Sequence, residues 1–196
     1  GEAFEIENAQ GGLFQWKEML PWLDHHLKGQ PLTNPPGLYT FTMGENEWHF
    51  YEEWPGPTTS KIFSLNDLPD SPSCDGGKLA FKKDSSGPVS YVYDPLDPVP
   101  TMGGAGMLAF ILPGFEGAAP ANVLQEGLCN RADVLSFVTP ALDASLLISG
   151  EISVNLEIAS SAPDTAFTAK LMEVFPDGRA INIRDNITSL AYRDGG

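Results

Sequence analysis

The apolar positions of this chain follow two periods. In residues 12–28, Leu13, Trp16, Leu20, Leu23 and Leu27 recur at helical spacing and make one stripe. Pro21 interrupts the stripe, which predicts a kink there or a helix that starts at Pro21. Lys28 and Gly29 supply a cation and a stop at the C-terminal end. A Pro-rich linker, residues 30–37, follows. Beyond it the period becomes two. Strands are expected at Leu38–Met43, Trp48–Trp54, Lys61–Leu65, Lys78–Phe81, Val89–Tyr93, Met107–Leu112, Val134–Val138, Leu146–Ala159, Phe167–Phe175, Ala180–Ile183 and Ile187–Tyr192. Pro176-Asp177-Gly178 reads as a hairpin turn between the last pairs. About ten short strands at this spacing predict a mainly β fold, a jelly-roll-type β-sandwich with an N-terminal helix. The division expected is 1–36 for helix and linker and 37–196 for the sandwich.

One stretch breaks the alternation. Tyr93 to Gly104 carries Pro95, Pro98 and Pro100, and it ends in Gly103-Gly104. Each proline holds the residue before it in extended geometry, and none can donate to a sheet ladder. The segment is therefore expected to be stiff, extended and outside the sheets, with a Gly-Gly hinge. It is either a wall over something or a strap between two elements.

Composition narrows the partners. The 196 residues include 11 Phe, 5 Tyr and 4 Trp, enough for a core. The net charge of −15 makes nucleic acid and anionic membrane surfaces poor partners. No apolar run approaches the roughly 20 residues of a spanning helix. The chain begins on Gly1 rather than Met, shows no signal peptide, and leaves its localisation open between cytoplasm and export. Two cysteines, Cys74 and Cys129, are too few for a disulfide framework; a single bridge is open to them in an oxidising compartment, and two free thiols are the expected state.

A search for chemistry finds no catalytic set. There is no G-x-S-x-G elbow; Ser86-Gly87 and Ser149-Gly150 lack its first glycine. His25 and His26 are adjacent rather than four apart, so they do not share a helix face as metal-binding pairs do. Asp70 to Gly77 lacks the alternating oxygens and closing Glu of a calcium loop. Gly103 to Gly106 lacks the lysine of a phosphate cradle. No metal and no cofactor are expected. Asp94 and Asp97 are read as turn caps before their prolines rather than an acid–base pair, because no partner base or nucleophile lies near them in sequence. Trp48 and Trp54 are open to two readings, packing or stacking on a sugar.

Several segments together resemble one family. They are Trp22 to Gly29 (WLDHHLKG), Tyr39 to Trp48 (YTFTMGENEW), Tyr93 to Gly104, Arg131 to Phe137 (RADVLSF) and Ser160 to Asp185. The pattern is similar to the C-terminal part of the cocaine esterase and X-Pro dipeptidyl-peptidase family, which also includes glutaryl-7-aminocephalosporanic acid acylases. The resemblance implies a galactose-binding-like jelly roll that packs on an α/β-hydrolase domain of the same parent, a serine esterase, acylase or dipeptidyl-peptidase. It places this chain downstream of the catalytic Ser, Asp and His, so its own catalytic residues are none. It makes Asp94, Asp97, Pro98, Pro100, Gly103 and Gly104 an interdomain strap, and Met107, Leu108 and Phe110 a wall of the substrate pocket. Two departures stand out: Ala105-Gly106 shifts the spacing after the hinge, and Ala166 replaces an Asp usual in the family. Relatives continue past the segment matching Tyr192-Arg193-Asp194, which leaves open that the last strands of the sandwich are missing here. A carbohydrate-binding module and a protein-interaction or homo-oligomerisation domain are the rival readings.

Overall fold

The structure, a computed structural model, describes residues 16–32, 37–68, 76–84, 87–104 and 121–192, and within the first helix the side chains from Met19 onward. Helix α1 spans Trp16–Lys28 and runs through Pro21 rather than starting there. Gly29, with φ +69, closes it through a bond from its N–H to His25 O at 3.0 Å. A left-handed residue at this place is where glycine costs least.

Seven strands follow among the described residues. They are β1 Leu38–Thr42, β2 Glu47–Tyr51, β3 Ser64–Asn66, β4 Gly77–Ala80, β5 Phe137–Val138, β6 Ala166–Val174 and β7 Ala180–Ser189. They make three small sheets: the hairpin β1-β2, the sheet β3-β4-β5 with its last pair parallel, and the ribbon β6-β7. The domain is mainly β, with one α-helix among the described residues. The chain divides into two units. Among the described residues, one holds those up to Thr59 with Ile148–Glu151; the other holds those from Ser60 to Leu147 and from Ile152 on.

In the first unit, β1 and β2 pair antiparallel from Leu38↔Tyr51 to Thr42↔Glu47. The alternation puts Tyr39, Phe41, Trp48 and Phe50 on one face, where the cross-strand rings lie 5.0 and 5.4 Å apart. Tyr39, Trp48 and Phe50 are 53, 52 and 41% exposed, so this face is an open aromatic surface.

In the second unit, the β6-β7 ribbon turns at Pro176-Asp177-Gly178, as the turn chemistry predicts. Gly178 N–H bonds Phe175 O at 2.9 Å, and Asp177 Oδ1 accepts from Arg179 N. The ladder slips between Leu171 and Met172, which pair with Arg184 and Asn182, so Ile183 is the extra residue of a β-bulge. The two strands expected at 180–183 and 187–192 are one continuous strand, β7, followed by a 3-10 turn at Leu190–Tyr192. Asp164, just before β6, accepts from Ser189 Oγ and Ala191 N and ties the two ends of the ribbon together. In β7, Ile181 and Asn182 are 1 and 2% exposed; Gln125, whose N–H bonds Ala180 O, is 9% exposed, and Asn66 in β3 is 2% exposed.

Three expectations are corrected. Val89–Tyr93 and Leu146–Ala159 form no strand among the described residues, because alternation defines a face without supplying a pairing partner. Lys61–Leu65 and Val134–Val138 shrink to β3 and β5. Cys129 is disulfide-bonded rather than a free thiol. The separation of two cysteines along a chain says nothing about the Cβ approach a bridge needs. The chain's other cysteine, Cys74, lies outside the described residues.

Candidate functional site

The strap from Tyr93 to Gly104 passes from solvent into the protein. Leu96 is 92% exposed and Val99 38%, while Gly103 is buried. A fixed attachment holds each end.

At the first end a tight turn is built on Asp94. Its Oδ1 accepts from Leu96 N at 2.9 Å, and its carbonyl from Asp97 N at 3.1 Å. Asp97 turns its carboxylate to Arg131. Arg131 Nη1 lies 3.2 and 3.3 Å from the two Asp97 oxygens, and Nη2 donates to the Asp97 carbonyl at 2.6 Å. The same guanidinium reaches Asp133 from its other side, with Nε to Oδ1 at 2.8 Å and Nη2 to Oδ2 at 2.9 Å. A planar fork with five donors suits two carboxylates at once, which a lysine would not. The hydrogen bonds from Arg131 hold the Asp133 carboxyl below the usual carboxylate range, against the opposing effect of burial. The two carboxylates, Asp133 first, push the guanidinium further toward its charged form. Tyr91, just upstream of the strap, has its phenol pushed up by burial and by the Asp133 charge.

At the second end the Gly-Gly pair is locked to β7 through two buried amides. The bulge at Ile183 lies beside Asn182, whose Oδ1 accepts from Val123 N at 2.8 Å and whose Nδ2 donates to Ala121 O at 3.2 Å. Asn122 Nδ2 in turn donates to Asn182 O. Gln125 Nε2 is within reach of Met102 O, Val123 O and Asn182 Oδ1 at 3.0 to 3.1 Å, and can satisfy two of them at a time. Gln125 Oε1 accepts from Lys170 Nζ at 2.7 Å. Burial pushes that ammonium's pKa down, and the Asp185 charge opposes the shift. Gly104 and Ala121 exchange two backbone bonds at 2.9 and 2.8 Å. Gly103 and Gly104 have φ of +73 and +83. At Gly103 a Cβ would collide with Ala121 O and come within 2.8 Å of Val123 Cγ2, so this position requires glycine. Gly104, Asn122, Asn182, Arg184 and Asp185 line a shallow recess where the strap ends.

The structure thus places Asp94, Asp97, Pro98, Pro100, Gly103 and Gly104 on one continuous segment. Met107, Leu108 and Phe110 lie outside the described residues. Arg131, Asp133, Lys170 and Asn182 lie within the segments that carry the family resemblance and have no role assigned by their sequence; Gln125 lies outside those segments. The alternating carboxylate and guanidinium of Arg131-Ala132-Asp133 was the available signal for the first anchor. Nothing in the sequence marks Gln125 or Asn182, because a buried amide is defined by what it touches.

The histidines are engaged elsewhere: His25 Nδ1 meets Gln30 O at 2.7 Å, and His49 Nε2 meets Glu45 at 3.2 Å. The described residues define a mainly β domain whose polar side chains are used to fix a Pro-rich strap. The family of X-Pro dipeptidyl-peptidase C-terminal non-catalytic domains matches residues 32–195, and the chain belongs to that family, a class of β-sandwich domains. Over 178 residues, 88% of its length, the chain is 36% identical to a cocaine esterase of Rhodococcus sp.. Over 182 residues it is 29% identical to proteins named as serine esterases from Mycobacterium bovis and Mycobacterium tuberculosis. It spans 30% of the length of the first and 26% of the other two.

Proposed function

We propose that this chain is the β-sandwich domain of a serine hydrolase that cleaves acyl ester or amide bonds or X-Pro peptides, that it packs on the hydrolase domain, and that it shapes the acyl pocket there. Residues 1–36 are then the connection from that domain and 37–196 the sandwich. The observation that carries the reading is the strap fixed at both ends. Asp97 is forked by Arg131, and Gly103-Gly104 is held by Ala121 and the Asn182–Gln125 pair. Such an anchor fixes the point from which the chain leaves Gly104, which supports a role for the segment that follows as a pocket wall. Met107, Leu108 and Phe110 are that wall. The open aromatic face of β1-β2 supports packing on a neighbouring domain. The parent's chemistry is nucleophilic acyl transfer through an acyl-enzyme, with every reacting group outside this chain.

The test has two arms. The isolated chain shows no turnover of p-nitrophenyl esters; turnover abolished by a serine-directed inhibitor overturns the reading. In the intact hydrolase, Phe110→Ala shifts KM several-fold for long acyl chains and leaves acetyl esters unchanged. Equal effects on both remove the pocket role. The half-exposed rings of Tyr39, Trp48 and Trp54 favour a second reading, sugar binding. Tryptophan fluorescence unchanged by millimolar oligosaccharides eliminates it.

A further inference from the structure

A second cluster, on the first hairpin, has no part in the strap. Glu47 and His49 are two apart on β2, so both project from the face opposite the aromatic one. The connection from Thr42 to Glu47 is a tight loop, with Asn46 N–H bonded to Thr42 O at 2.9 Å and Gly44 and Asn46 both at positive φ. That loop swings Glu45 back over the same face, where its Oε2 lies 3.2 Å from His49 Nε2. One carboxylate oxygen from Glu45, one from Glu47 and one imidazole nitrogen from His49 lie within 4.8 Å of one another. The His49 ring is the most covered part, 29% exposed, and it stacks at 23° on Tyr51 two residues further along the same face.

We propose that Glu45, Glu47 and His49 form a site for one divalent cation of the zinc class. Two carboxylates and a neutral imidazole balance the ion's charge and give three ligands, and water completes the shell. The imidazole nitrogen selects zinc, cobalt, nickel or copper over calcium and magnesium, which take oxygen. Ligand atoms around tetrahedral zinc stand about 3.3 Å apart, so binding needs only a modest inward swing of two glutamate side chains. Five registered strand pairs below the loop hold the backbone of Glu47 and His49 meanwhile. The chain's net charge of −15 raises the local concentration of any cation.

The experiment is calorimetric titration of zinc chloride into the full-length protein free of any affinity tag, alongside Glu47→Gln, His49→Gln and a His25→Gln/His26→Gln control, with circular dichroism confirming equal folding. Expected is a saturable site of micromolar affinity that each of Glu47→Gln and His49→Gln weakens at least tenfold and the helix control leaves unchanged. Glu47→Gln keeps the side chain's shape, so its effect reads ligation rather than folding. No binding, or equal binding in all four proteins, overturns the proposal.

Discussion

Strand β7 and the run Leu146–Ala159 carry the same alternating apolar pattern, and they end differently. β7 pairs with β6 over nine positions, and two of its residues, Ile181 and Asn182, are only 1 and 2% exposed. In the other run, Ile152, Val154, Leu156 and Ile158 alternate just as cleanly, yet each is 42 to 55% exposed and none joins a sheet. The difference is the partner. β7 meets β6 across the short Pro176-Asp177-Gly178 turn, which sets the register locally and keeps the loop-closure cost small. The second run has no such neighbour among the described residues. Alternation supplies a face; pairing requires a second strand in register. β7 has a further support, because its bulge and Asn182 tie it to the strap through Val123, Ala121 and Gln125.

Substitutions should grade in effect from the buried end of the strap to the unpaired run. Gly103→Val should have the largest effect. It forces a β-branched residue to φ +73 and drives it into Ala121 and Val123, and strain with overpacking amounts to about 3–5 kcal/mol. Urea unfolding followed by fluorescence would read it. Asn182→Ala comes next. It strands the Val123 N–H and part of Gln125 in a site 2% exposed, for a loss of about 2–4 kcal/mol by the same measurement.

Arg131→Ala should cost less than Asn182→Ala, mostly by leaving the nearly covered Asp133 carboxylate without its guanidinium donors. Its pH dependence has a fixed sign. The Asp133 pKa is lowered in the folded state, so its contribution is fully present above the ordinary carboxylate value of about 4. It is lost as pH falls through the folded value. The gap between the parent and Arg131→Ala should therefore narrow below about pH 4. Faster limited proteolysis between Tyr93 and Thr101 should accompany the substitution.

The smallest effect is expected at Val154→Thr, within about 0.5 kcal/mol, since the side chain is already 55% exposed. Hydrogen exchange sharpens the contrast: amides of Ala180–Ser189 should be protected, and those of residues 152–158 should exchange quickly in this chain. Protection of 152–158 appearing only when the proposed hydrolase domain is present would identify a pairing strand outside this chain.

Much of the architecture was legible because it is local. The helical stripe, the separate strands β1 and β2, the Asp177-Gly178 turn and the extended course of Tyr93–Gly104 all follow from periods and from residues that restrict φ. The strap's glycines were legible as a hinge. Their actual state is the opposite of a free hinge, because positive φ and close backbone approach to Ala121 lock them. The failures are equally physical. Leu146–Ala159 looked like a strand because pattern cannot report the lack of a partner. Cys129 looked free because spacing cannot report proximity.

By itself, then, the sequence determined the class: a mainly β chain with an N-terminal helix, no catalytic motif, and an extended Pro-rich segment ending in Gly-Gly. Those properties depend on φ restrictions and on the two- and 3.6-residue periods, which act within a few residues. Only the tertiary structure decided which alternating segments pair, that Arg131 forks Asp97 and Asp133, and that Asn182 and Gln125 hold the end of the strap. Apart from the local Arg131–Asp133 pair, these contacts join residues 23 to 61 positions apart. Their formation depends on burial and register, which come into being when the chain folds.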